Sequence, residues 1–162
     1  MEEALKGLKI LQAFFDGKTG LLGNLNNPQI GSINIYSGQA GSEAKQYKDG
    51  YGLEHIVARR WQEGNNVIET LFGINETLTK GHVVKEYGGD IGRIELQHGS
   101  YIAIVAKQRF GEKEQWHLTG FKVKSVAERE SYNPKSYALY SSGSRSKVVA
   151  DFRAKIIFPF GS

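Results

Sequence analysis

The feature that most constrains this chain is a change of hydrophobic period at Gly81. Before it, apolar side chains recur every three or four residues; from His82 onward they alternate with polar ones. The first spacing lines one face of a helix and the second one face of a strand, so the order must be helices first and a sheet after. Leu5, Leu8, Leu11 and Phe15 predict an amphipathic helix over Glu3–Phe15. Leu53, Ile56, Val57 and Trp61 predict a second, from Tyr51 or Leu53 to about Gln62, with Gly64 as its stop. A third runs from about Val67 to Lys80 on a stripe of Val67, Ile68, Leu71, Phe72 and Leu78. Asn66 with Glu69 three residues later opens it in capping-box fashion, and Gly81 ends it.

Beyond Gly81, His82–Tyr87, Gly92–Leu96, Ser100–Lys107 and Gln115–Lys124 read as strands. Gly88-Gly89-Asp90, Gln97-His98-Gly99 and Gly111-Glu112-Lys113 supply the turns. Connections this short imply an antiparallel meander. Gly31–Tyr36 alternates as well and predicts a short half-buried strand closed by Gly38. The expected fold is α+β, with two or three N-terminal helices on one face of a four- to five-stranded antiparallel sheet.

Residues 16–27 are dense in Gly and Asn and lead to Pro28, which predicts a loop and a boundary. The chain then divides into an N-terminal helical extension (1–30), a core (31–124) and a C-terminal extension (125–162). Alternation of Val148, Ala150, Phe152, Ala154, Ile156 and Phe158 makes an added strand the expectation for the last segment. Ser37–Gly50, polar and Gly-rich, reads as a surface loop.

With 162 residues, 40% hydrophobic and 23% charged, the composition is that of an ordinary soluble domain. No apolar run reaches 18 residues and the start does not resemble a secretory signal, so a cytoplasmic protein with no membrane partner is expected. Zero cysteines exclude disulfides, thiolate metal sites and thiol nucleophiles. The four histidines, His55, His82, His98 and His117, form neither H-x-H nor H-E-x-x-H, so no metal and no other cofactor is expected. A net charge of +4 permits a polyanionic partner without demanding one.

Two segments carry candidate chemistry. On the second helix His55 and Arg59 fall one turn apart, roughly opposite the Leu53/Val57/Trp61 arc, and present an imidazole that exchanges a proton near neutral pH beside a permanent cation. Arg60 projects beside the apolar arc, where partial burial and a carboxylate partner are expected. In the last strand of the meander, alternation puts Trp116, Leu118 and Gly120 on one face and His117, Thr119 and Phe121 on the other, away from the helices. Each segment also has a plain structural reading: a solvated histidine with surface arginines, and a threonine bonded across strands.

Taken together, a G-x-I-x-I-x-x-G strand (Gly31–Gly38), G-L-x-H-I (Gly52–Ile56), K-G-x-V-V (Lys80–Val84) and W-x-L-T-G-F (Trp116–Phe121) resemble the phage-associated branch of the barnase/EndoU/colicin/RelE-like (BECR-fold) ribonucleases. The similarity spans roughly residues 31–124. It implies a pair of helices followed by a four-stranded antiparallel sheet, and a metal-independent endoribonuclease toxin. Such an enzyme cleaves RNA by 2′-hydroxyl attack and leaves a 2′,3′-cyclic phosphate. RNA, tRNA among the candidates, and a cognate immunity or antitoxin protein are the implied partners. His55 is then the catalytic histidine and Thr119 the polar strand residue of the groove. Tyr101 is followed by Ile102 where the family often carries a basic residue, which leaves Arg59, Arg93, Lys107 and Arg109 as alternatives for the cation facing the phosphate. His117 stands where the family is usually apolar. In this reading His55, Arg59, Thr119 and Lys107 are catalytic, while Arg60, Arg93, Arg109, His117, Trp116 and Tyr101 bind substrate. Tyr36, Tyr51, Tyr101 and Trp116 are the aromatics available to stack on unpaired bases. The rival reading is a catalytically silent RNA-binding or protein-interaction module on the same scaffold.

Overall fold

The computed structural model describes residues 2–123, and the strand expected in the last segment lies outside them. Three helices are α1 (Glu2–Phe15), α2 (Gly52–Gln62) and α3 (Val67–Lys80). Six strands are β1 (Leu21–Asn27), β2 (Gly31–Tyr36), β3 (His82–Tyr87), β4 (Arg93–His98), β5 (Tyr101–Arg109) and β6 (Glu112–Lys122). The Asn66 side chain accepts from the Glu69 N–H at 3.0 Å, so α3 begins with the cap its sequence predicts.

The fold is α+β, but among the described residues the sheet has six strands and is mixed, in the order β1-β2-β6-β5-β4-β3. The β3–β6 meander is antiparallel throughout, whereas β2 joins β6 in parallel, with Asn34 opposite Trp116. Rules about short connections see only neighbours in sequence, and this pairing unites segments about eighty residues apart. Side chains reinforce the seam. Gln115 Nε2 donates to the carbonyls of Ile30 (2.8 Å) and Ser32 (3.0 Å), and Asn34 Nδ2 and the Tyr36 hydroxyl both donate to Glu114. Burial alone would raise the Glu114 pKa; these two donors and the nearby Arg109 outweigh it and hold the carboxyl below its usual value.

Residues 16–27 were expected to be a loop, yet Leu21–Asn27 forms a strand. Its composition hides it: only Leu25 and Asn27 are fully buried, and the second is polar. Asn27 is held because every part of its amide is used. Nδ2 donates to the Leu78 and Gly81 carbonyls (3.1 and 2.9 Å) at the end of α3. Oδ1 accepts from the N–H groups of Gln29 and Ile30 (2.9 and 3.3 Å) in the β1–β2 turn. A single side chain thus stitches the first hairpin to the last turn of α3. Residues 2–30 share the core of the rest: Ile10, Leu11, Phe14 and Leu25 belong to one apolar cluster with Ile33, Ile56, Leu71, Ile74, Leu96 and Val105. Helix α3 is central, touching both other helices and strands β1, β4, β5 and β6. Its Asn75 donates to the Gly7 carbonyl of α1 at 3.0 Å. No helix among the described residues is long and apolar enough to cross a membrane.

Replacing Asn27 with Ala strands two buried carbonyls and two turn N–H groups. The expected loss is about 2–4 kcal/mol of unfolding free energy, read from urea denaturation; a midpoint within error of the parent protein would refute the stitch.

Candidate functional site

The glycines at the end of β2 and the start of α2 place the site. Gly38 (φ 73°) and Gly52 (φ 76°) both adopt the left-handed region and face one another. A Cβ on Gly38 would strike the Tyr51 carbonyl, and one on Gly52 would lie 2.9 Å from the Tyr36 carbonyl. That close approach lets the Ser37 carbonyl accept from the Glu54 N–H at 2.8 Å, which satisfies a first-turn donor of α2 that the Tyr51 side chain does not cap. Gln39 and Tyr51 exchange two backbone hydrogen bonds just beyond (2.8 and 2.9 Å). The start of α2, and His55 one turn on, are therefore fixed to the end of β2.

The structure corrects the expected exposure of His55. Only 5% of the residue is exposed, and α2 is buried on nearly every side. The reason is the 37–50 segment, which folds back over the helix. Tyr47 is fully buried with Ala40 and Ala58, and Asp49 accepts from the Ser42 N–H at 2.8 Å. Gln46 and Tyr47 both take positive φ (55° and 62°), a conformation non-glycine residues seldom hold. The Gln46 carbonyl in turn accepts from Arg59 at 3.1 Å.

A cavity of about 450 Å³ opens where α2 meets β6, lined by Lys48, His55, Arg59, Arg60, Glu63, Asn65, Thr119, Phe121 and Lys122. Four cationic side chains against one carboxylate make it electropositive. Arg60 is buried, as its position beside the apolar arc predicts, and pairs with Glu63. Its Nε donates to the Gly120 carbonyl at 3.2 Å, and its guanidinium carbon lies 5.8 Å from the centre of the Phe121 ring. Arg59 reaches the same Glu63 at 3.9 Å, and Lys122 reaches Glu69 at 3.4 Å.

Gly120 faces α3, where a Cβ would lie 2.7 Å from Ile74, so Thr119 and Phe121 keep the opposite face as alternation predicts, and they meet α2 residues in the lining of the cavity. His117 is the residue that a bulge moves. Val105 pairs with His117 but Ile104 with Thr119, so Leu118 is an extra residue. Strict alternation fails there, and Trp116 and His117 are both buried. The His117 Nε2 sits 2.9 Å from the Thr119 carbonyl. A carbonyl only accepts, so in the neutral ring Nε2 carries the proton and Nδ1 the lone pair. His117 Nδ1, His55 Nδ1 and Thr119 Oγ1 are all buried, with no hydrogen-bond partner among the described residues. Burial pushes the His55 pKa down to about 4, aided by Arg60 and Arg59 and opposed by the backbone of Ala40 and Tyr47. His117 is likewise lowered to about 4 by burial, with His55 adding to the effect. Both rings are neutral at pH 7.

The other expected site residues lie elsewhere. Lys107 pairs with Glu86 and lines a separate cavity with Asp90, Lys113 and Glu114. Arg93 is an exposed residue at the start of β4 and does not line the His55 cavity. Arg109 stacks over Tyr36 at 3.8 Å. Trp116, 9% exposed, stands edge-on to Tyr36 and Tyr51 (6.1 and 5.4 Å) and donates its indole N–H to the Gln108 carbonyl. Tyr101 packs against Gly73 of α3 and donates to Glu69 at 3.0 Å. The sequence reading missed Lys48, Glu63, Asn65 and Lys122. Glu63 alone had a signal, three residues after Arg60 on one helix. Among the described residues no three His, Asp or Glu side chains group as a metal site would need.

The two buried histidines set an acid limit. Their folded pKa lies below the unfolded value of about 6.5, so the unfolded chain takes up protons first. Stability present above pH 6.5 is lost as pH falls through that value towards 4. The expected loss between pH 7 and 4.5 is on the order of 2 kcal/mol per ring, with a shallower fall for His117→Gln. Urea midpoints that do not move over this interval would show that the rings are not held neutral.

Compared with family models, curated proteins and solved structures, the chain matches none.

Proposed function

We propose that this chain is an endoribonuclease that cleaves RNA by attack of a ribose 2′-hydroxyl on the adjacent phosphorus. The observation that carries the reading is the cavity in which His55 and Thr119 share one lining with Arg59, Arg60, Lys48 and Lys122. Further support is the order α2, α3, then an antiparallel β3–β6 meander, which is the order the BECR-fold resemblance implies. The same resemblance extends the proposal to a toxin module with a cognate inhibitor.

His55 is the proton acceptor. It is deprotonated at neutral pH, and the charge of a bound phosphate lifts its pKa back towards the working range, where proton transfer is most effective. As the 2′-oxygen–phosphorus bond forms, the phosphorus–5′-oxygen bond breaks, and the proton taken by His55 passes to the departing 5′-oxygen. Arg60, fixed by Glu63 and the Gly120 carbonyl, and Arg59 offer positive donors where charge grows on the phosphoryl oxygens. The Thr119 hydroxyl is placed to bond a phosphoryl oxygen. Lys107, Arg93, Arg109, Trp116 and Tyr101 have no part in this chemistry.

Incubation with RNA should leave 2′,3′-cyclic phosphate ends, and a substrate carrying 2′-deoxyribose at the cut should resist. His55→Ala should lower the rate by about 10²–10⁴-fold while the circular dichroism spectrum is retained. Salt-sensitive binding with no cyclic-phosphate product from the parent protein would replace the nuclease by the silent RNA-binding module.

A further inference from the structure

Two residues lining the cavity have no part in the proton and phosphate chemistry. Phe121 is half-buried, and Arg60 occupies one region of its ring while the residue also lines the cavity. Asn65, just past the end of α2, is half-buried too. Its backbone N–H is used, donating to the Arg60 carbonyl at 3.0 Å, but among the described residues its side-chain amide has no hydrogen-bond partner. An aromatic ring and an amide that can both donate and accept, lining one cavity, are groups that can recognise an unpaired base, by stacking and by bonding its edge. The volume, about 450 Å³, is that of a small-ligand pocket. The aromatics that the sequence offered for stacking, Trp116, Tyr36 and Tyr51, spend their faces and edges on each other and on Arg109.

We infer that Phe121 and Asn65 form a base pocket beside the phosphate site, so that RNA is taken with one nucleotide unpaired and its base edge read by Asn65. The inference rests on the nuclease reading for its substrate class, yet its binding test does not depend on cleavage. Phe121 is the platform and sets affinity for any base. Asn65 bonds the Watson–Crick edge and sets preference among bases. Pairing the nucleotide with a complementary strand occupies that edge and removes it from the pocket.

The test uses the full chain with the four nucleoside 3′-monophosphates and inorganic phosphate as probes, titrated by calorimetry. The parent protein should bind at least one nucleotide about tenfold more tightly than inorganic phosphate, as a base stacked on an aromatic ring requires. Phe121→Leu should lose most of that advantage for all four bases and keep phosphate affinity. Asn65→Ala should bring the four affinities together while phosphate affinity stays unchanged. Equal affinity of the parent protein for nucleotides and inorganic phosphate overturns the pocket, whether or not RNA is cut. Base-dependent binding that survives Asn65→Ala overturns the role of Asn65. Base-dependent binding by a protein that cuts no RNA keeps the pocket and removes the nuclease.

Discussion

The molecule depends on the seam between β2 and β6. It is the one parallel contact that joins the β1–β2 hairpin and the β3–β6 meander into a single sheet. Backbone pairing there is short, so side chains make it hold: Gln115 reaches back across the ladder, and Glu114 gathers Asn34 and Tyr36. Once the seam is closed, the position of α2 follows. The end of β2 is pinned to the start of α2 through Gly38 and Gly52, so fixing β2 beside β6 also sets α2 on β6. His55 is thereby carried to Thr119.

The cavity this creates is expensive for the fold. Two imidazoles, an arginine and a threonine hydroxyl are removed from water, and among the described residues three of their polar atoms find no partner. An unpaired buried polar group destabilises a native state by about 1–3 kcal/mol, and charged guanidinium groups are retained only with partners such as Glu63 and the Gly120 carbonyl. The strained pair Gln46 and Tyr47, which closes the covering segment over α2, adds to that cost. Burial, positive potential and unused hydrogen-bonding capacity coincide at one place, where an anionic ligand would relieve all three.

Much of the architecture was legible because it is local. The stripe on α3, its Asn66 cap and the Gly-closed turns of the meander each follow from residues within a few positions of one another. The division of the chain was less legible. A strand written Leu-Leu-Gly-Asn-Leu-Asn-Asn carries little hydrophobic signal, and Asn27 is buried only because α3, some fifty residues on, supplies its partners. The site was half legible. His55, Arg59, Arg60 and Thr119 could be picked out by type and spacing, but Lys48, Asn65 and Lys122 enter the cavity through folding alone. Lys107, Arg93 and Arg109 were equally plausible cations by charge, and the fold sends them elsewhere.

By itself, the sequence determined the kind and order of the elements, since hydrophobic period and turn residues act over one or two turns of chain. It also determined the absence of thiol chemistry and the presence of an imidazole beside cations on α2. Only the tertiary structure decided that Leu21–Asn27 joins the sheet, that β2 runs parallel to β6, and that His55 is buried under the 37–50 segment. The bulge at Leu118 belongs there too, because a one-residue slip that turns His117 inward is invisible to alternation. These are outcomes of pairings between distant segments, whose free energy depends on partners that no local window of the chain contains.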